Sequence, residues 1–171
     1  MEFNSDRRLK YILPPKKYPN RKPQYLLVIE NKTFYDNLLY QGLVPNKSYV
    51  AKFPEHIKEC FYKPFIRGLY DGDGCLYHNT KQNSNTISIT GTSELLDRVG
   101  DIIEKYTGIK KRIHKAQNSI EVDKNTRVLM FGGNNQVGTF LRWLYDGSKM
   151  HLLRKYIKYC TLYNISNSFV A

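Results

Sequence analysis

Apolar residues fall at helical spacing four times from residue 64 onward. Phe65, Ile66, Leu69 and Tyr70 mark a helix over 64–73, which Pro64 can open at its first position. Leu95, Leu96, Val99, Ile102, Ile103 and Tyr106 mark a second, capped by Ser93 and ended by Gly108. Val137, Phe140, Leu141 and Leu144 share one face of a third, over 135–147, and a further helix over 150–160 turns Leu152, Leu153, Tyr156, Ile157 and Cys160 inward. Between the helices the period changes. "TISIT" (86–90), "KKRIHKA" (110–116), "SIEVD" (119–123) and "RVLMF" (127–131) read as strands, and a strand also leaves Gly74. From residue 64 the order is helix, strand, strand, helix, strand, strand, helix, helix.

Upstream, "YLLVIE" (25–30) is a strand, "KTFYDNLLYQG" (32–42) a short helix stopped by Gly42, and "KSYVAKF" (47–53) a second strand. The order strand, helix, Gly, basic strand recurs about sixty residues later, as an internal duplication would leave it. Residues 1–24 carry Arg7, Arg8, Lys10, Lys16, Lys17, Arg21 and Lys22 among Pro14, Pro15, Pro19 and Pro23, which reads as a basic extended arm. The expected division is an arm over 1–24, a partial or degenerate β-α-β repeat over 25–62 and a main domain over 63–171.

Charge narrows the function. With 27 Lys+Arg against 15 Asp+Glu, net +12, the partner is expected to be a polyanion, most often nucleic acid. There is no run long enough to span a membrane, and the N-terminus has no apolar signal region. Cys60, Cys75 and Cys160 form no C-x-x-C pair and the four His are scattered, so a disulfide scaffold or zinc finger is not expected. The expected location is intracellular, without secretion.

The acids are segregated. None occurs from Cys75 through Ser93, nor from Lys105 through Ile120, while Glu94, Asp97, Asp101 and Glu104 lie on the helix between. A two-sided sheet follows, apolar towards the helices and cationic on the other face. Tyr77, Asn79, Lys81, Thr86, Ser88, Thr90, Lys111, Arg112, His114 and Arg127 are the residues expected to meet phosphates and base edges of double-stranded DNA. A merely solvated face would normally mix both signs.

Against that background "FIRGLYDGDG" (65–74) is unusual. Asp71 and Asp73 fall at the C-terminal end of a helix, where the macrodipole costs a carboxylate about 0.3–1 kcal/mol. A hard divalent cation would relieve both acids, with the Gly72 carbonyl close by. A calcium-binding EF-hand starting at Asp71 would need Gly and Glu where Leu76 and Gln82 stand, so that pattern fails. Gly68, inside the helix, costs about 1 kcal/mol against Ala and implies a close helix–helix crossing. With no second clean copy of the stretch, the partner helix would come from another molecule.

This stretch resembles the LAGLIDADG motif of homing endonucleases position by position over Ile66–Gly74, with Arg67 and Tyr70 the loosest matches. The downstream order and "LYDG…LLRKY" are similar to that family too. The resemblance implies an α+β fold, an αββαββα domain with a saddle-shaped antiparallel sheet on DNA. It implies motif helices packed at a dimer or pseudo-dimer axis through Ile66, Gly68 and Leu69, so that a chain with one motif is either half of a homodimer or a piece or decayed copy of a larger enzyme. It also implies that Asp73, helped by Gly72, binds Mg²⁺ or Mn²⁺, with Ca²⁺ binding without supporting cleavage. A basic residue near the last helix supports the catalytic water; Lys155 matches best, then Lys149. "FLRWLYDGSK" (140–149) echoes the motif, but Trp143 replaces the packing glycine and Ser148 the acid. The function implied is a site-specific, metal-dependent DNA endonuclease. The alternative on the same scaffold is a non-catalytic DNA-binding regulator or an RNA-splicing maturase, which does not need Asp73.

Overall fold

The computed structural model describes residues 7–45, 50–116 and 125–165. They divide into two compact units, one ending at Tyr40 and one starting at Gln41.

In the first unit, β1 (Arg7–Ile12) and β2 (Gln24–Ile29) form an antiparallel hairpin with Tyr11 opposite Tyr25, and α1 (Lys32–Tyr40) follows. Asn31 caps α1, its Oδ1 accepting the Phe34 N–H at 2.8 Å. The stretch expected to be an extended arm therefore contains a paired strand. Its prolines are confined to the loop between the strands, where no ladder N–H is required. No residue of α1 is buried.

The second unit holds the order read from residue 64. A single 3₁₀ turn (Glu59–Phe61) leads into α2 (Tyr62–Asp73). After it come β3 (Gly74–Asn79), β4 (Ser84–Thr92), α3 (Ser93–Thr107), β5 (Ile113–Lys115), β6 (Thr126–Gly132), α4 (Asn134–Tyr145) and α5 (Leu153–Tyr163). The sheet runs β3-β4-β6-β5, every neighbour antiparallel. Ile87, Ile89, Leu129 and Phe131 project from its inner face. They join Ile66 and Tyr70 of α2, Leu96, Val99 and Ile103 of α3, and Val137, Phe140, Leu141 and Leu144 of α4 in one core. This is the α+β, αββαββα architecture, and it exists because each helix brings one apolar stripe to one apolar sheet face.

Four local expectations change. The cap of α3 is Thr92 rather than Ser93: its Oγ1 accepts the Leu95 N–H at 3.3 Å and donates to the Ala51 carbonyl. That contact helps explain why Ala51 and Phe53 are not in a strand, as 47–53 was expected to be. Phe53 is buried edge-on against Tyr62 and Phe65, with ring centroids 5.3 and 4.9 Å apart; residues 47–49 of that stretch lie outside the described residues. Only Ile113–Lys115 of 110–116 is strand, because Lys110 and Lys111 turn to acids on α3. The strand expected at 119–123 lies outside the described residues. Finally, α5 is rotated: Lys155, Tyr159 and Cys160 are buried while Leu153 and Ile157 are exposed.

Candidate active site and nucleic-acid face

The two aspartates of the motif do different work. Asp71 is tied on both oxygens: the Tyr145 hydroxyl donates to Oδ1 at 2.9 Å and the Leu152 N–H to Oδ2 at 2.8 Å. One carboxylate thus joins the end of α2 to the end of α4 and the start of α5. Burial, then the hydrogen bond to Asp71, pushes the Tyr145 phenol well above its ordinary pKa, so it stays a donor. Asp73, two residues on, is exposed, as is Gly72. Among the described residues no cluster of three or more His, Cys, Asp or Glu side chains could hold a metal. Of the two motif acids, Asp73 alone is left as an exposed carboxylate at the helix end.

Lys155 explains how α2 tolerates acids there. Its buried ammonium donates to the carbonyls of Tyr70 and Gly74 and lies 4.7 Å from the Tyr70 ring centroid. A cation beside the last carbonyls of a helix offsets the negative end of the dipole, and the Tyr70 carbonyl, which already accepts the Gly74 N–H, gains a second, charged donor. The relief expected from a metal is thus supplied partly by the protein. Burial, then Arg154, holds the Lys155 pKa below its usual value, against the pull of Asp71, Cys75 and Asp73. Lys158 repeats the pattern on the Leu76 carbonyl at 2.6 Å. Lys149 is exposed in the turn before α5. Lys155→Met keeps the stem but removes the charged donor shared by the Tyr70 and Gly74 carbonyls. It is expected to lower stability by about 1–3 kcal/mol in urea titration; an unchanged midpoint would refute this clasp.

The surface of α2 is open along Pro64, Gly68 and Gly72. A Cβ on Gly68 would meet nothing within 4 Å. An apolar cleft lies to one side, lined by Leu43, Ala51, Phe65, Leu69 and Leu95, with Asp73 on its wall. To the other side lie Met150, His151 and Leu152. Ile66, expected on a dimer-packing face, is fully buried in its own core instead, because its position on the helix points at the sheet. Leu69 is half-buried and lines the cleft.

Strand register sorts the sheet residues. Tyr77 faces Thr86, Ser88 faces Met130, and Thr90 faces Val128, which faces His114. The Arg112 carbonyl accepts the Met130 N–H at 2.9 Å, which places Arg112 beside that row. Asn79 shapes the β3–β4 turn, its Oδ1 accepting the N–H groups of Lys81 and Gln82 at 3.1 and 3.2 Å. These residues share the outer face or its rim. Two expected members do not. Lys111 packs over Gly100 of α3 and pairs with Asp97 and Asp101 at 3.2 and 2.8 Å, on the helix side. Arg127 has the opposite parity, facing Gly91 and Lys115, and donates to the Thr126 carbonyl at 3.0 Å. The face expected to be cationic and polar is, among the described residues, polar and mostly neutral, with Arg112, His114 and Lys81 as its basic groups. Cys75 and Met130 belong to it and were missed; continuing the alternation from Ser88 across the sheet would have found them.

The lysine and arginine partners therefore separate two expectations. Arg112→Ala should weaken binding to duplex DNA and reduce the salt slope by about one unit, whereas Lys111→Ala should leave both unchanged. Fluorescence anisotropy across a salt series checks this; equal effects would contradict the assignment of faces.

A four-stranded antiparallel sheet with a polar outer face, helices on its inner face and an exposed acid at the end of the first of those helices defines an αββαββα domain. The LAGLIDADG-like domain family matches residues 61–146, and the chain belongs to it. A search of curated proteins finds no match to the chain. Among the described residues no helix is long and apolar enough to cross a membrane.

Proposed function

We propose that the chain is a site-specific double-stranded DNA endonuclease of the homing type, acting as a homodimer joined along α2. The observation that carries this reading is the division of labour at the helix end: Asp71 is fully hydrogen-bonded, and Asp73 is left exposed beside a helix face with room for a second helix. One carboxylate per chain fits Mg²⁺ or Mn²⁺, hard cations that keep several waters and accept phosphate oxygens. Asp73 and the Gly72 carbonyl would hold the ion. It would supply charge stabilisation and an activated water for phosphodiester hydrolysis. The chain's own residues position this site. Lys155 fixes the carbonyls that turn α2 into β3, Asp71 fixes α2 against α5, and the outer sheet face holds the duplex.

Incubating the protein with a randomised-site DNA library in Mg²⁺ tests the reading. Cleavage at a restricted set of sites supports it. Tight duplex binding without cleavage in Mg²⁺ or Mn²⁺ would make the chain a binding protein, and preference for folded RNA would make it a maturase.

A further inference from the structure

The first unit presents a strand face in the position of the outer sheet face, aromatic and aliphatic where that face is polar, and no role described above uses it. The equivalence follows from the helix caps. Asn31 caps α1 as Thr92 caps α3. Counting back from each cap, Ile29, Leu27 and Tyr25 stand where Thr90, Ser88 and Thr86 stand. Across the hairpin, Tyr11 lies opposite Tyr25 as Tyr77 lies opposite Thr86. So the hairpin face bearing Tyr11, Tyr25, Leu27 and Ile29 corresponds to the polar outer face of the second unit's sheet, not to its core face. It is bare: Tyr11 is 55% exposed, Tyr25 73% and Leu27 53%.

Charge identifies what it meets. No Asp or Glu occurs between Arg7 and Ile29. The loop between the strands carries Lys16, Lys17, Arg21 and Lys22. It is shaped by hydrogen bonds from the Tyr18 N–H to the Pro15 carbonyl at 2.8 Å and from the Arg21 N–H to the Tyr18 carbonyl at 3.1 Å. The Arg21 guanidinium sits 4.4 Å and the Lys17 ammonium 5.7 Å from the Tyr18 ring centroid, so one ring gathers two cations. We propose that the β1–β2 hairpin and its loop are a second contact surface for duplex DNA, outside the LAGLIDADG-like domain, with the loop cations on phosphates and the tyrosine face against the groove wall. This rests on the DNA reading above. A two-stranded ribbon is one of the shapes that fits a duplex groove. Unpaired bases fit less well: the Tyr11 and Tyr25 rings touch each other at 5.0 Å and are tilted by 47°, so they do not form the parallel platform that stacking uses.

The test uses the full chain with a photo-crosslinking residue, Tyr25→p-benzoylphenylalanine, and a parallel variant, Thr90→p-benzoylphenylalanine, irradiated with a random-sequence DNA duplex. Both positions should crosslink to duplex. A chain carrying Lys16→Ser, Lys17→Ser and Arg21→Ser should lose about three units of salt slope while melting as wild type. Crosslinking at residue 90 without residue 25, or an unchanged slope in the triple variant, overturns the hairpin proposal and leaves the endonuclease reading standing. Crosslinking at neither position overturns both. Capture of another protein copy, or of single-stranded but not duplex DNA, at residue 25 also overturns the proposal.

Discussion

Asp73→Asn should reduce Mg²⁺-dependent cleavage by at least about a hundredfold, since even residues that only orient a metal's ligands cost about 10–100-fold when lost. DNA affinity should stay within about twofold, the scale of a neutral surface change. The two outcomes separate because the acid is exposed at the end of α2 while the residues proposed to meet DNA lie on the outer sheet face of β3, β4 and β5 and its rim. Asp71→Asn should behave differently. It weakens both the Tyr145 hydroxyl contact and the Leu152 amide contact, so it should lower stability as well as activity. Cleavage by Asp73→Asn at the wild-type rate would remove the catalytic assignment. Loss of folding in that variant, read by circular dichroism, would mean that the side chain is structural.

Gly68→Leu should give the opposite pattern, an intact subunit that no longer assembles. Open space surrounds the position within the chain, and leucine favours helix over glycine by roughly 0.8 kcal/mol. Thermal melting should therefore be unchanged or slightly higher. A leucine side chain on this face would hold a second α2 away, because close crossing needs a small residue at the contact. Dimerisation on DNA should weaken by at least tenfold, equivalent to about 1.4 kcal/mol, and double-strand cleavage should fall with it. Sedimentation with and without duplex decides. A variant that dimerises as wild type, or a wild-type chain that stays monomeric on DNA, would refute the α2 interface.

Local periodicity was enough to place most of the second unit. The stripes of α3 and α4 appear at their expected positions because a helix or strand buries whichever side chains its own period lines up. The motif stretch was legible for a related reason: a glycine inside a helix and two acids at its C-terminal end are each unfavourable alone, so together they mark a site. The alternation of Thr86, Ser88 and Thr90 likewise identified the outer sheet face from sequence alone.

What sequence left open was the partner of each charge. Composition and spacing alone do not separate Asp71 from Asp73; only the family resemblance singles out Asp73. Tertiary packing brings Tyr145 and Leu152, 74 and 81 residues away, to Asp71 and leaves Asp73 exposed. Lys155 and Lys111 were both expected at functional surfaces. Folding aims the first at the end of α2 and the second at α3. The rotation of α5 has the same origin, since its inward face includes the lysine that reaches the Tyr70 and Gly74 carbonyls. In α3, α4 and β4 the apolar side chains are sorted by the period of their own element, so sequence determined where they went, whereas in α5 a buried lysine takes the inward face from Leu153 and Ile157. Long charged side chains reach any carbonyl or carboxylate that another element brings within range, and only the assembled tertiary structure decided which one that was.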